Sequence, residues 1–300
     1  MIFLLFATLH LAHLGDFKLD NGQTIHDCIV GYRTYGELAS DKSNAIVVLT
    51  WFGGTTEGLE TWIGPGKLYD TSKYFVISID AFGDGISSSP SNGANETFTM
   101  RDMVRAQHEL VTRELELDHV FAVSGLSMGG MQTFQWIASY PEFMKKAVPI
   151  VGSTKLTSYD LLLWKSELNA IGEPGGMKTA ADINEMHLHT PAWFASHVKD
   201  VDGLMHSHEA WISTFNTRNY ASQLRAMIGL DIGAPPHTMP PALVVVSEQD
   251  LTVNPGPATE FAKATHNELL TLTSDCGHLA TSCESERMVK AVHAFLDADH

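Results

Sequence analysis

Residues 119–140 read HVFAVSGLSMGGMQTFQWIASY, and this stretch decides the fold. Val120 to Val123 form a short apolar run with β-branched residues, as a buried strand requires. Gly125-Leu126-Ser127-Met128-Gly129 follows with the pattern G-x-S-x-G. From Met128 the apolar positions Met131, Phe134, Trp136, Ile137 and Tyr140 recur at helical spacing until Pro141 ends the run. The reading is strand, sharp turn, helix, with Ser127 at the turn. A serine hydroxyl is a weak nucleophile and must be exposed, held and set beside a base. Glycines two residues on either side let neighbouring backbone approach without Cβ clashes. The helix N-terminus supplies free N–H groups where an oxyanion would develop.

Outward from the turn, strands and helices alternate. Upstream, Asn21-Gly22 marks a hairpin over Asp16 to Tyr35. Ala45 to Thr50 and Tyr74 to Asp80 are continuous apolar runs, as expected of central strands buried on both faces. The first ends in the Gly-rich loop Trp51 to Thr56, the second in Ala81 to Gly85. Phe98 to Leu117 has a helical apolar stripe, with Thr99 and Asp102 spaced as a capping box. Downstream, Ala147 to Val151, Ala242 to Val246 and Leu269 to Thr273 read as strands, and Pro257 to Thr265 and Glu284 to Leu296 as helices. After Ser153 the character changes, and from Met177 to Gln223 the chain is rich in His, Met and Trp with no strand pattern. The expected organisation is an α/β core over residues 15–152 and 236–300, interrupted by a helical cap insertion over 153–235. Residues 1–14 read as an apolar N-terminal extension or signal segment, without a Lys or Arg before Lys18. Export is the favoured reading of that segment and a cytoplasmic protein the alternative.

Composition removes several function classes. Across 300 residues, 19 Lys and Arg face 35 Asp and Glu, for a net charge of −16. That balance argues against nucleic acid and against anionic membrane surfaces as partners. The 3 cysteines, Cys28, Cys276 and Cys283, fit neither a disulfide framework nor a zinc pattern, and thiols are expected over a Cys276–Cys283 bridge. Gly83-Asp84-Gly85-Ile86-Ser87-Ser88 imitates a dinucleotide loop but lacks its third glycine and its helix. The pairs His187/His189 and His206/His208 are two apart, not four apart as helical zinc ligands are. No cofactor and no metal is expected.

Strand C-terminal ends collect functional groups in a parallel sheet. Ser127, Asp250 and His278 occupy such ends in that chain order. Ser127 is expected as nucleophile, His278 as general base and Asp250 as the carboxylate that orients the imidazole. Asp275 is the rival to Asp250 but lies three residues from His278, too close to come from a separate strand end. The oxyanion hole is assigned to the backbone N–H groups of Met128 and Phe52, with Trp51 and Gly53 as neighbouring alternatives.

At these residues the sequence resembles the homoserine O-acetyltransferase-like α/β-hydrolases. The resemblance rests on Gly31-Tyr32-Arg33-Thr34-Tyr35-Gly36, Asn44 to Thr50, Tyr74-Phe75-Val76-Ile77, Arg101 to Gln107, Gly125 to Gln132 and Gly277-His278, in family order. It implies an α/β-hydrolase fold, a triad on Ser127, His278 and Asp250, an acyl-enzyme route, and scope for a homodimer. Two departures point away from homoserine. The family's acetyltransferases carry an Asp after the catalytic His, where this chain has Leu279, and an Arg in the first cap helix, where it has Glu167-Leu168-Asn169-Ala170-Ile171. A zwitterion without charged partners is costly to desolvate. The expected activity is serine-dependent hydrolysis of a small-molecule acyl ester. Transfer of an acetyl group from acyl-CoA to an alcohol such as homoserine is the alternative, and a non-catalytic binding module a second.

Overall fold

One eight-stranded sheet runs through the computed structural model, which describes residues 7–298. Its strands are β1 (His10–Lys18), β2 (Thr24–Tyr35), β3 (Ala45–Leu49), β4 (Phe75–Ile79), β5 (Val120–Leu126), β6 (Met144–Ile150), β7 (Leu243–Ser247) and β8 (Glu268–Leu272), in spatial order β1-β2-β4-β3-β5-β6-β7-β8. β1 and β2 form an antiparallel hairpin, β2 pairs antiparallel with β4, and every later pairing is parallel. The parallel strands carry the apolar runs. All five residues of β3 are buried, because helices cover both faces.

Successive residues of β3 serve different cores. Ala45, Val47 and Leu49 join one apolar cluster, Ile46 and Val48 another. On the first face lie residues of α2 (Met100–Glu109) and α3 (Met128–Ser139); the second takes Leu59 of the short α1 (Thr56–Leu59). Between β6 and β7 come five helices: α4 (Ser158–Ala170), α5 (Gly176–Leu188), α6 (Pro191–His197), α7 (Val201–Ile212) and α8 (Thr217–Ile228). Then α9 (Gly256–Ala264) joins the first face, and α10 (Ala280–Cys283) and α11 (Ser285–Asp297) the second. Helix α2 opens on the expected capping box: Thr99 Oγ1 accepts from the Asp102 N–H, and Asp102 Oδ2 from the Thr99 N–H. It widens into a π turn over Leu110–Glu114 instead of running regularly to Leu117. No helix among the described residues is long and apolar enough to cross a membrane.

Two expectations need correction. The core does not start at Gly15. His10 to His13 pair with β2, from His10 opposite Tyr32 to His13 opposite Ile29, and Ala12 and Leu14 are buried. The segment is apolar because alternate side chains enter the core, while Leu11 faces out. Residues 1–6, the remainder of the proposed signal segment, lie outside the described residues. The second correction concerns cysteine. Cys276 and Cys283 form a disulfide, because the turn through Gly277–Leu279 and α10 brings their Cα atoms to 6.5 Å, within bridging range. Cys28 is the free, buried thiol, and burial pushes it up to about 12.

Candidate active site

Ser127 sits between β5 and α3 with φ 57° and ψ −117°, in the left-handed half of backbone space. Such a conformation costs about 1–3 kcal/mol and persists only where its surroundings enforce it. Here the surroundings are backbone. A Cβ on Gly129 would lie 2.3 Å from the Leu49 carbonyl oxygen, and one on Gly125 would lie 2.5 Å from the Gly129 carbonyl carbon. The Ser127 N–H donates to the Ile150 carbonyl at 2.9 Å, which ties the turn to the neighbouring strand. The two glycines of the motif are thus dictated by close packing of β3, β5 and α3.

His278 arrives from the turn after β8. Gly277 precedes it with φ 62°, and its carbonyl accepts from Ser247 Oγ at 2.7 Å, so the end of β7 holds the loop. His278 Nε2 is 2.8 Å from Ser127 Oγ, and its Nδ1 is 2.7 Å from Asp250 Oδ2. The tautomer that uses both contacts has Nδ1–H donating to Asp250 and Nε2 accepting from the serine hydroxyl. Asp250 is positioned in turn. Its Oδ1 accepts the N–H groups of Thr252 and Val253, each at 2.8 Å. The side chains of His278 and Asp250 are 7% and 1% exposed, so this chain of bonds is shielded from water. Asp275, the rival carboxylate, contributes only its carbonyl, which accepts from Thr190 Oγ1.

The loop after β3 makes a tight turn, with Gly54 N–H donating to the Trp51 carbonyl at 2.9 Å. Gly53 N–H is already engaged: Gln223 Oε1 of α8 accepts it at 2.9 Å. The N–H groups of Phe52 and Met128 have no protein acceptor among the described residues. A cavity of about 460 Å³ opens over Ser127 and His278. Trp51, Phe52 and Trp62 line it from the core side, and Trp164, Trp211 and Phe215 from the inserted helices. Leu279, beside His278, also faces it.

Three side chains at or beside this cavity escaped the sequence reading as functional groups: Gln223, Glu167 and Tyr220. Gln223 grips the loop after β3. Glu167 and Tyr220 line the cavity, joined by a 2.8 Å hydrogen bond from the tyrosine hydroxyl. Glu167 carried a signal, since it continues the stripe Asp160, Leu163, Trp164 that α4 buries. The histidines between 187 and 208 are dispersed. Among the described residues no group of three or more His, Cys, Asp or Glu side chains could hold a metal ion.

Comparison with known proteins agrees with this fold. A family model described as the alpha/beta hydrolase fold matches residues 45–181. A probable esterase of Corynebacterium glutamicum is 33% identical over 230 residues, 73% of this chain and 62% of that protein. The ethyl acetate hydrolase of Pseudomonas veronii is 36% identical over 169 residues, 54% of this chain and 48% of that one. The homoserine O-acetyltransferase of Methanohalophilus mahii is 34% identical over 165 residues, 47% and 34% of the respective chains. The matched region is therefore less than two thirds of each relative's own length. The solved structure of an acetylester hydrolase from Corynebacterium glutamicum superimposes with a TM-score of 0.90 at 22% identity, over 97% of this chain and 96% of that one. The chain has the α/β-hydrolase fold, and its sequence is similar to both esterases and homoserine O-acetyltransferases.

Proposed function

We propose that this protein is a serine-dependent acyl-ester hydrolase working through an acyl-enzyme on Ser127. The observation that carries the reading is the continuous chain Ser127–His278–Asp250, with contacts of 2.8 and 2.7 Å, opening into a largely apolar cavity. Ser127 Oγ attacks the ester carbonyl while His278 Nε2 takes its proton. The negative charge that develops on the carbonyl oxygen is met by the N–H groups of Met128 and Phe52, which have no other acceptor among the described residues. His278 returns the proton to the leaving alcohol, then removes one from the water that attacks the acyl-enzyme. Asp250 keeps the imidazole in the competent tautomer and stabilises its charged form. In this scheme the helices between 153 and 235 act as a cap that lines the cavity and limits access of water.

Hydrolysis is favoured over transfer to homoserine by the wall of the cavity. Among the described residues no Lys or Arg lines it, and Leu279 stands beside the base, so these residues offer an amino-acid carboxylate no cationic partner there. One relative is an ethyl acetate hydrolase, which points to short acyl esters as the first to assay. The protein is expected to hydrolyse p-nitrophenyl acetate, and Ser127→Ala to lower kcat/KM by about 10³-fold or more. Turnover that survives the substitution refutes the nucleophile. Consumption of acetyl-CoA that depends strongly on homoserine reverses the choice between hydrolysis and transfer.

A further inference from the structure

Apart from Ser127, His278 and the hydroxyls of Thr252, Thr281 and Ser282, the polar side chains that line the cavity lie where four inserted helices converge. Glu167 of α4, Asn184 and Glu185 of α5, His208 of α7 and Tyr220 of α8 all line it. The proposed ester chemistry uses none of them. Glu167 is only 1% exposed. Its Oε2 accepts the Tyr220 hydroxyl at 2.8 Å, and the Asn184 side chain also bonds to its carboxyl group. Burial pushes the acid up to about 7 in spite of these bonds. Across the cluster, His208 Nδ1 lies 2.9 Å from Glu185 Oε2. Bonding Nδ1–H to that carboxylate leaves Nε2 of the neutral ring as an acceptor. That Nε2 is buried and has no hydrogen-bond partner among the described residues.

Buried polar atoms are normally paired, and an apolar side chain of similar size would fill such a wall at less cost. Glu167 and His208 line one space, and among the described residues no Lys or Arg lines it. The geometry points to a specificity subsite, centred on Glu167 and His208, that binds a hydrogen-bond donor on the substrate and disfavours substrates bearing a carboxylate or phosphate. The donor is a hydroxyl or an ammonium group on the part of the ester remote from the scissile carbonyl. This inference rests on the ester-hydrolase reading above and adds to it the chemistry of the preferred substrate.

The test compares matched esters: the acetates of butanol, 1,4-butanediol and 4-dimethylaminobutanol, with 4-acetoxybutanoate as the anionic member. Ethyl butyrate and its 4-hydroxy and 4-dimethylamino derivatives form the second series, with monoethyl succinate as its anion. The readout is the ratio of kcat/KM for each substituted ester to its unsubstituted parent, which cancels differences in the fraction of folded enzyme. In at least one series the wild type is expected to favour a donor-bearing ester by about 10-fold and to disfavour the anion by about as much, as one charge-assisted hydrogen bond allows. The hydroxyl and ammonium arms tell the two donors apart. Glu167→Gln should erase most of that preference and relax the penalty on the anion, and Tyr220→Phe should change the same ratios without removing the carboxyl group. Wild-type ratios near one in both series overturn the subsite while leaving the hydrolase reading in place. Ratios unaltered in Glu167→Gln do the same. Failure of the wild type to hydrolyse any of these esters, parents included, overturns the hydrolase reading and the subsite with it.

Discussion

Gln223 of α8 accepts the Gly53 N–H at 2.9 Å, and its own amide donates to the Phe82 carbonyl at 3.1 Å. One buried side chain therefore ties an inserted helix to the loops that follow β3 and β4. Phe52, whose N–H is proposed to meet the oxyanion, is the residue before Gly53. Its ring also packs edge-on against Tyr220 of the same helix, at 4.5 Å between centroids. Gln223→Leu removes both hydrogen bonds and leaves a buried N–H and carbonyl unpaired, a loss of about 1–3 kcal/mol for each group. If the helix sets the loop, kcat for p-nitrophenyl acetate should fall about 10- to 100-fold with a smaller change in KM. Gln223→Glu, which keeps the acceptor for Gly53, should lose less. A drop in thermal stability with kcat intact would reduce Gln223 to a structural strut.

The carboxylate of Asp250 has its two oxygens committed to different tasks. Oδ1 takes the Thr252 and Val253 N–H groups and Oδ2 takes the His278 ring nitrogen. Asp250→Asn can keep the first task. Its NH₂ group then faces Nδ1 and favours the tautomer with the proton on Nε2, which cannot accept from Ser127. The expected result is a fall in kcat of about 10⁴-fold with little change in melting temperature. Activity within about 10-fold of wild type would take Asp250 out of the catalytic scheme.

The parts of this arrangement legible in the sequence were those fixed by local backbone chemistry. The β5–Ser127–α3 turn needs glycine at 125 and 129 because backbone, not side chains, crowds those sites. Strands β3 and β4 announce themselves because burial on both faces demands continuous apolar runs. Gln223 and Glu167 were not legible in the same way. Each is a polar residue in a helix, and nothing local distinguishes a glutamine that reaches a loop 170 positions away from one that faces water. The N-terminal strand was obscured for another reason. A short run of apolar residues and histidines suits a leader segment as well as a half-exposed edge strand, and only pairing with β2 decides. The disulfide depended on the tight turn around His278, which spacing alone does not disclose.

Cys276 and Cys283 bracket that turn, and four of the residues between them, His278, Leu279, Thr281 and Ser282, line the cavity. Loop-closure entropy for so short a ring amounts to about 2 kcal/mol. Reduction, or the double substitution Cys276→Ser with Cys283→Ser, should lower the melting temperature by about 5 °C. It should also lower kcat several-fold, since the loop before His278 would then rest on the hydrogen bonds from Ser247 Oγ to Gly277 and from Thr190 Oγ1 to Asp275 without a covalent tie. Thiol counting by mass spectrometry checks the bond itself. Equal activity and stability with and without it would show that packing already fixes His278.

The last prediction concerns a buried acid pair away from Ser127. Asp84 Oδ1 accepts the N–H groups of Ile86 and Ser87 at 2.8 and 2.9 Å, closing the loop after β4, while its Oδ2 is buried. Asp80 accepts the N–H and hydroxyl of Thr56 at 2.7 and 2.9 Å. Burial, and then the charge of Asp80, holds Asp84 well above the usual carboxylate range. Burial also raises Asp80, but the Thr56 bonds and Arg33 pull it back, so the shared proton belongs on Asp84. An acid whose folded value lies above its unfolded one binds more protons when folded. Its contribution to stability is complete below the unfolded value near 3.8 and is lost as pH rises towards the folded one. Asp84→Asn keeps the acceptor for Ile86 and Ser87 and carries no charge at any pH. The variant should match the wild type below the unfolded value near 3.8 and melt higher as pH rises above it, so that the two melting curves converge on acidification. Parallel curves across that range would mean that folding does not raise Asp84, and that the pair is held by bonds to both carboxylates instead of by a proton between them.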